Sequence, residues 1–251
     1  MRSIISSING IQMSSKKAIF SKTGYIKGKQ CLKSLYLYKH HYSMRDPIPA
    51  ERLKRFSLGS DFGILTRQLF PNGHDASPTH VHRYSESVAL TQEFIRKGIT
   101  TIYEAAFLFD GILVYADILT KLSSGWALYE VKSSAKVSNV YQQDLALQFY
   151  VIKGSGLELL HASIIHLIEP LSDDYKEQEI ASLCQISDFT EYCNEKFSVI
   201  QDEILEMKTM LARSRIPTIQ MGSHCQVPYS CDFIGFCTQQ SNPPTEGLFK
   251  Q

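Results

Sequence analysis

Residues 112–132 read Ile112-Leu-Val-Tyr-Ala-Asp117-Ile-Leu-Thr-Lys-Leu-Ser-Ser-Gly125-Trp-Ala-Leu-Tyr-Glu130-Val-Lys132. Two runs rich in β-branched and aromatic residues flank the turn signal Ser123-Ser124-Gly125, which predicts a hairpin with strands over 112–119 and 126–132. Side chains alternate across a strand, so Glu130 and Lys132 share a face and Val131 points to the other. Asp117, on the neighbouring strand, joins them when the register suits. Two carboxylates then converge beside an ammonium. Oxygen donors of this kind suit Mg²⁺ or Mn²⁺, and the backbone carbonyl of Val131 is placed to add a further ligand. Such an ion polarises a phosphate and lowers the pKa of bound water, while Lys132 orients that water, helps deprotonate it, or stabilises developing charge. The same alternation also suits a solvated salt-bridge face on an antiparallel sheet.

Upstream, Thr101 to Phe109 predicts another strand, joined to the hairpin by the turn pair Asp110-Gly111. Glu104 on that strand is a third candidate carboxylate, or an exposed strand charge. Downstream, residues 137–152 predict a helix ended by Gly154 and Gly156, and 161–168 a fourth strand closed by Pro170. Helices are predicted earlier over 25–42, 49–69 and 85–97, and a long amphipathic one later over 189–213. Helices followed by β-β-β-α-β predict an α/β (α+β) fold, a mixed central sheet flanked by helices. The expected organisation is a flexible basic extension over 1–20, one domain over 21–240 and a tail over 241–251.

Asp117, twelve intervening residues, Glu130-Val131-Lys132, then a helix and a strand form an ordered set that resembles the PD-(D/E)XK nuclease superfamily. The resemblance implies a restriction-endonuclease-like core, with Asp117 and Glu130 holding metal, Val131 and Glu104 adding to it, and Lys132 acting on the water. The RecB-like branch carries Gln-x-x-x-Tyr on the following helix. Here Asp144-Leu-Ala-Leu-Gln148-Phe-Tyr150 supplies the Gln, implying that Gln148 supports the site, but Ile152 stands where that motif has Tyr. That branch also often carries a metal-binding His after an early glycine. Leu58-Gly59-Ser60-Asp61-Phe62-Gly63 occupies that place without a His, and Asp61 is the available substitute.

Of six cysteines, Cys225, Cys231 and Cys237 stand with five residues between neighbours, and Cys31 lies far upstream. Paired Cys-x-x-Cys knuckles of a zinc ribbon are absent. One distant cysteine plus a C-terminal triplet resembles the iron–sulfur branch of RecB-like nucleases, which includes the CRISPR-associated RecB-like exonuclease; that branch often has tighter spacing at one step. The resemblance implies a structural 4Fe–4S cluster on Cys31, Cys225, Cys231 and Cys237. Zn²⁺ in the same four thiolates, with His224 as a further donor, and ordinary buried thiols are the other readings. Cys184 and Cys193 are read as free thiols. The stretches around Cys31 and Gln148 also resemble the nuclease-like N-terminal part of long bacterial proteins.

The formal net charge is +1, so overall charge names no partner, but its distribution is uneven. Residues 1–57 hold twelve Lys/Arg against Asp46 and Glu51, leaving the remainder acidic. A basic end of this kind meets phosphate backbones, with Lys27, Lys29 and Lys33 as candidate contacts, or is a solvated face. Arg2-Ser-Ile-Ile-Ser-Ser-Ile-Asn-Gly is too short and polar for a secretory core, and no apolar run spans a bilayer, so a cytoplasmic protein is expected, without membrane partners. The functional expectation is a Mg²⁺- or Mn²⁺-dependent deoxyribonuclease, exonuclease-like, acting on DNA. The alternatives are a catalytically inactive nucleic-acid-binding module and an iron–sulfur redox-sensing scaffold. The sequence names no protein partner.

Overall fold

The structure is a computed structural model that describes residues 19–80, 82–170 and 179–241. The predicted extension over 1–20 and tail over 241–251 fall outside it, apart from Ile19, Phe20 and Ser241. The fold is mixed α/β. A seven-stranded sheet is built from β1 (Phe20–Ser21), β2 (His74–Asp75), β3 (Thr101–Phe109), β4 (Ile112–Lys121), β5 (Trp126–Lys132), β6 (Leu159–Leu167) and β7 (Cys184–Asp188). The helices are α1 (Lys22–Gln30), α2 (Leu32–His40), α3 (Ala50–Thr66), α4 (Tyr84–Arg96), α5 (Asn139–Gly154), α6 (Ile180–Leu183), α7 (Thr190–Leu211) and α8 (Ile234–Ser241). The chain divides into two compact units, residues 1–22 with 56–200 and residues 23–55 with 201–251.

The first unit holds the sheet, in the order β2-β3-β4-β5-β6-β7. Strands β3, β4 and β5 are antiparallel neighbours; β5 and β6 are parallel, with α5 as the crossover between them. Asp110 and Gly111 both have positive φ, 49° and 73°, which gives the two-residue turn whose twist matches the β3–β4 hairpin. Ser138 caps α5 by accepting from the Tyr141 N–H. One face of the sheet is sealed by Tyr103, Ile118, Tyr129, Val131 and Ile165 packed with Leu69, Phe70 and Cys184. The opposite face receives α5, whose Leu145, Leu147, Phe149 and Val151 are fully buried. Where β2 ends, α4 takes over the open edge of β3: the Ala106 N–H donates to Thr91 Oγ1.

Strand β1 explains an unusual edge. Ile112 and Leu113 pair with β3 on one side and with Phe20 and Ser21 on the other. Along that second edge, β5 joins only from Ile118 onward. Residues 114–117 therefore lie between β1 and β5, and Asp117 sits at the mouth of that gap.

The second unit is helical. Its buried set includes Tyr25, Leu35, Leu37, Ile204, Met207 and Phe233. Gly28 allows the close approach of Met207 and Leu35, since a Cβ there would lie 2.7 Å from the Met207 side chain. The single helix expected over 25–42 is two helices, because Cys31 adopts an extended backbone (φ −164°, ψ 119°) between α1 and α2. Among the described residues, no helix is long and apolar enough to cross a membrane.

Candidate functional site

Register brings the carboxylates together. Tyr103 pairs with Ile118 and Ala105 with Ala116, which sets Glu104 opposite Asp117. Ile118 pairs with Tyr129, which sets Asp117 opposite Glu130 one step further on. Directly opposed residues point to the same face. Since Ile118 and Tyr129 face the apolar side, Asp117 and Glu130 stand together on the α5 side, and Glu104 occupies the matching position on the next strand. The β4–β5 ladder ends here, and Asp117 replaces it: its Oδ2 accepts from the Val131 N–H at 2.7 Å. Glu104 holds a left-handed φ of 52° in mid-strand, a costly conformation for a residue with a Cβ.

Glu130 is 1% exposed. Its Oε1 accepts from Lys132 at 2.5 Å and from Lys22 at 2.8 Å, and its Oε2 accepts from the Gln148 side-chain amide. Asp144, one helical turn before Gln148, receives Lys132 at 2.8 Å and Lys22 at 3.5 Å. The Tyr141 ring lies 5.0 Å from the Lys132 ammonium. A carboxylate can only accept, so the Gln148 amide nitrogen must face Glu130. Its Oε1 is then buried without a hydrogen-bond partner among the described residues.

These charges tune one another. Burial opposes ionisation of Glu130, yet the charges and hydrogen bonds of Lys132 and Lys22 outweigh it and hold the carboxyl well below the usual range. Asp117 goes the other way: burial first, then the Glu130 charge, push it up to about 8, against the pull of Lys22 and Lys132. Burial also raises Glu104, with Asp75 and Glu130 adding to the shift and Arg67, 3.4 Å from its Oε1, opposing it. An ion bound between Asp117 and Glu130 would replace the proton on the weaker acid.

The donor set fits a hard cation. Asp117 and Glu130 offer carboxylate oxygens from adjacent strands, and the orphaned Gln148 oxygen can accept from water on such an ion. Among the described residues, no group of three His, Cys, Asp or Glu side chains is already arranged to hold an ion. At Glu130 the two lysines stand on the carboxylate instead. Lys22 and Asp144 belong to the constellation although motif reading singles out neither. Asp144 carries a signal, its four-residue spacing from Gln148 on one helix face. Lys22 carries none, being 108 residues from Glu130. Tyr150 turns away: its hydroxyl bonds Asp110 Oδ2, and burial, then Asp110, push it up to about 12. Asp61 lies exposed on α3.

In the second unit, Cys31, Cys225, Cys231 and Cys237 line one small cavity of about 10 Å³, together with Lys33, His224 and Phe233. Among the described residues, no disulfide joins any of the six cysteines. Burial raises the thiols of Cys31 and Cys237, and the charges of Cys225 and Cys231 add to both; Lys33 opposes the rise at Cys237. Cys225 Sγ lies 3.7 Å from His224 Nε2, and the Cys231 N–H donates to the Cys225 carbonyl. Thiolates are soft donors of the kind a metal group takes, although among the described residues no three Cys or His side chains are already arranged around one ion. Cys184 and Cys193 lie elsewhere, raised by burial to about 11 and about 12.

The three lysines expected to meet phosphate are engaged within this unit. Lys27 pairs with Asp232 and Lys29 with Glu203. Lys33, 8% exposed, reaches Gln240 at 3.0 Å and lines the cysteine cavity. Compared with known protein families and with curated proteins, the chain matches no family model and no curated sequence.

Proposed function

We propose that the chain is a metal-dependent nuclease with a PD-(D/E)XK, restriction-endonuclease-like core, hydrolysing phosphodiester bonds of DNA. The observation that carries the reading is the row Glu104–Asp117–Glu130 across β3, β4 and β5, with Lys132 Nζ on Glu130. Asp117 and Glu130 would hold Mg²⁺ or Mn²⁺, joined by Glu104 and the Val131 carbonyl. When bound, the ion would supply Lewis acidity and a water of lowered pKa. The protein's own part is positional. Gln148 fixes the Glu130 carboxylate, and its free oxygen orients water. Lys132, held by Glu130, Asp144 and the Tyr141 ring, keeps its proton: burial works against the charge, but the carboxylates around it prevail. In the metal-free protein it is thus a positive charge held in place, suited to stabilising the developing phosphorane.

The test is cleavage of labelled single- and double-stranded DNA with Mg²⁺ or Mn²⁺. Glu130→Gln and Lys132→Ala should lose at least ~100-fold in rate while DNA binding persists. Wild-type rates in either variant would remove the assignment.

The four cysteines are proposed to hold a structural metal group, a 4Fe–4S cluster or Zn²⁺. The cavity lined by all four thiols, with His224 beside Cys225, suits either group.

A further inference from the structure

We propose that Lys22 is a built-in counter-cation that competes with the divalent ion for Glu130 and is displaced when the ion binds. The inference rests on the reading of this site as metal-dependent.

The geometry starts from β1. Its two residues pair with Ile112 and Leu113 and then stop, so Lys22 is delivered to the mouth of the gap between β1 and β5. From there its ammonium meets Glu130 Oε1 at 2.8 Å and Asp144 Oδ2 at 3.5 Å. Lys132 already sits on the same two oxygens, at 2.5 and 2.8 Å. Two ammoniums on one pair of oxygens repel each other, and only the surrounding carboxylates make the arrangement favourable. It is stable while those carboxylates have no better cation.

Lone-pair counting shows what an incoming ion meets. Glu130 Oε1 accepts from two ammoniums, and Oε2 accepts from Gln148. A carboxylate oxygen offers two lone pairs, so Oε1 is full. Oε2 keeps one lone pair, but an ion on either oxygen of this carboxylate stands within a few ångströms of two ammoniums, and that repulsion favours the loss of one of them. Lys132 is the harder to move. It lies two residues from Glu130 on the same strand, closer to both oxygens, under the Tyr141 ring. Lys22 makes the longer contacts and has the more exposed side chain, 28% against 18%, so a path to water is open to it. A long flexible ammonium gives up such a position at little cost once its counter-charge is neutralised.

Two experiments on the full chain test this. In the first, Mn²⁺ is titrated into wild type and Lys22→Met by calorimetry. The variant keeps the side-chain length and loses the charge, and should bind Mn²⁺ about 10-fold more tightly or better. Equal or weaker binding overturns the inference and leaves the nuclease reading standing. Absence of Mn²⁺ binding in both proteins overturns the inference and that reading together. The second experiment needs only wild type. Lysines are reductively methylated with and without saturating Mn²⁺, and the products are mapped by mass spectrometry. Methylation of Lys22 should rise several-fold with Mn²⁺ while that of Lys132 stays low. Unchanged Lys22 labelling with Mn²⁺ bound overturns the displacement, even if Lys22→Met proves too unstable to titrate.

Discussion

The amide of Gln148 donates to the one oxygen of Glu130 that the two lysines leave open, so the carboxylate is clamped from both sides inside the protein. Removing that donor leaves a buried charged oxygen without its partner, which costs about 1–3 kcal/mol. Gln148→Ala should therefore melt several degrees lower than wild type. Gln148→Glu should be worse at neutral pH, because it sets a second carboxylate against Glu130, and should recover when the pH is lowered. A Gln148→Ala variant with unchanged melting temperature and cleavage rate would remove Gln148 from the site.

Asp117 makes the metal-free protein sensitive to pH. Its folded value, about 8, lies above its ordinary one, so the stability it contributes is complete at low pH and is lost as pH rises through about 8. Glu130 acts in the opposite sense: its value is depressed, and its contribution is lost as pH falls through the ordinary carboxylate range. Melting temperature without metal should thus decline from mildly acidic to alkaline pH. Mn²⁺ should abolish the decline, because the ion takes the ionised form. Calorimetry at pH 7 in buffers of different ionisation enthalpy should show close to one proton released per Mn²⁺. Zero release would mean that Asp117 is already ionised.

The strands that carry this site are legible in the sequence. Runs rich in β-branched and aromatic residues place β3 and β5 over 101–109 and 126–132, and the Asp110-Gly111 turn marks the connection from β3 to β4. Once that register is known, the shared facing of Asp117 and Glu130 follows from the period of two. Long-range pairing is what local pattern does not encode. β1 and β2 are two residues each, too short for any periodicity, and β7 reads Cys-Gln-Ile-Ser-Asp, a polar edge. Lys22 reaches Glu130 only because β1 adds to β4. The break at Cys31 is equally hidden, since the apolar spacing of Ile26, Leu32, Leu35 and Tyr36 suits one continuous helix.

The left-handed backbone of Glu104 predicts an unusual pair of variants. A residue with a Cβ in this region costs about 1–2 kcal/mol, a cost that glycine escapes. Glycine inside a strand loses only about 0.5–1 kcal/mol in return. Glu104→Gly should therefore match or exceed Glu104→Ala in melting temperature, the reverse of the usual order within a strand. Both should cleave DNA more slowly if the carboxylate joins the metal. A glycine variant clearly less stable than the alanine one would contradict the strain.

The cysteines divide by location, and their variants should divide with them. Cys31, Cys225, Cys231 and Cys237 line one cavity in one unit, whereas Cys193 is fully buried in α7 and Cys184 begins β7. A bound metal group links the chain before α2 to the segment before and within α8, so its binding energy is folding energy for that unit. Protein purified without oxygen from iron-replete cells should carry either broad visible absorption, for a cluster, or stoichiometric zinc without colour. In either case Ser at any of the four positions should lower the metal content and expose the 23–55 and 201–241 segments to protease. Cys184→Ser and Cys193→Ala should keep the metal. Alanine is the proper choice at Cys193, because a hydroxyl in that fully buried position would need a partner of its own. Metal retained in all four cavity variants, or lost in Cys184→Ser, would show that the cavity is not where the metal binds. Four freely alkylated thiols in folded, metal-free protein would show that the unit needs no metal at all, leaving the carboxylate row on β3, β4 and β5 to support the nuclease proposal by itself.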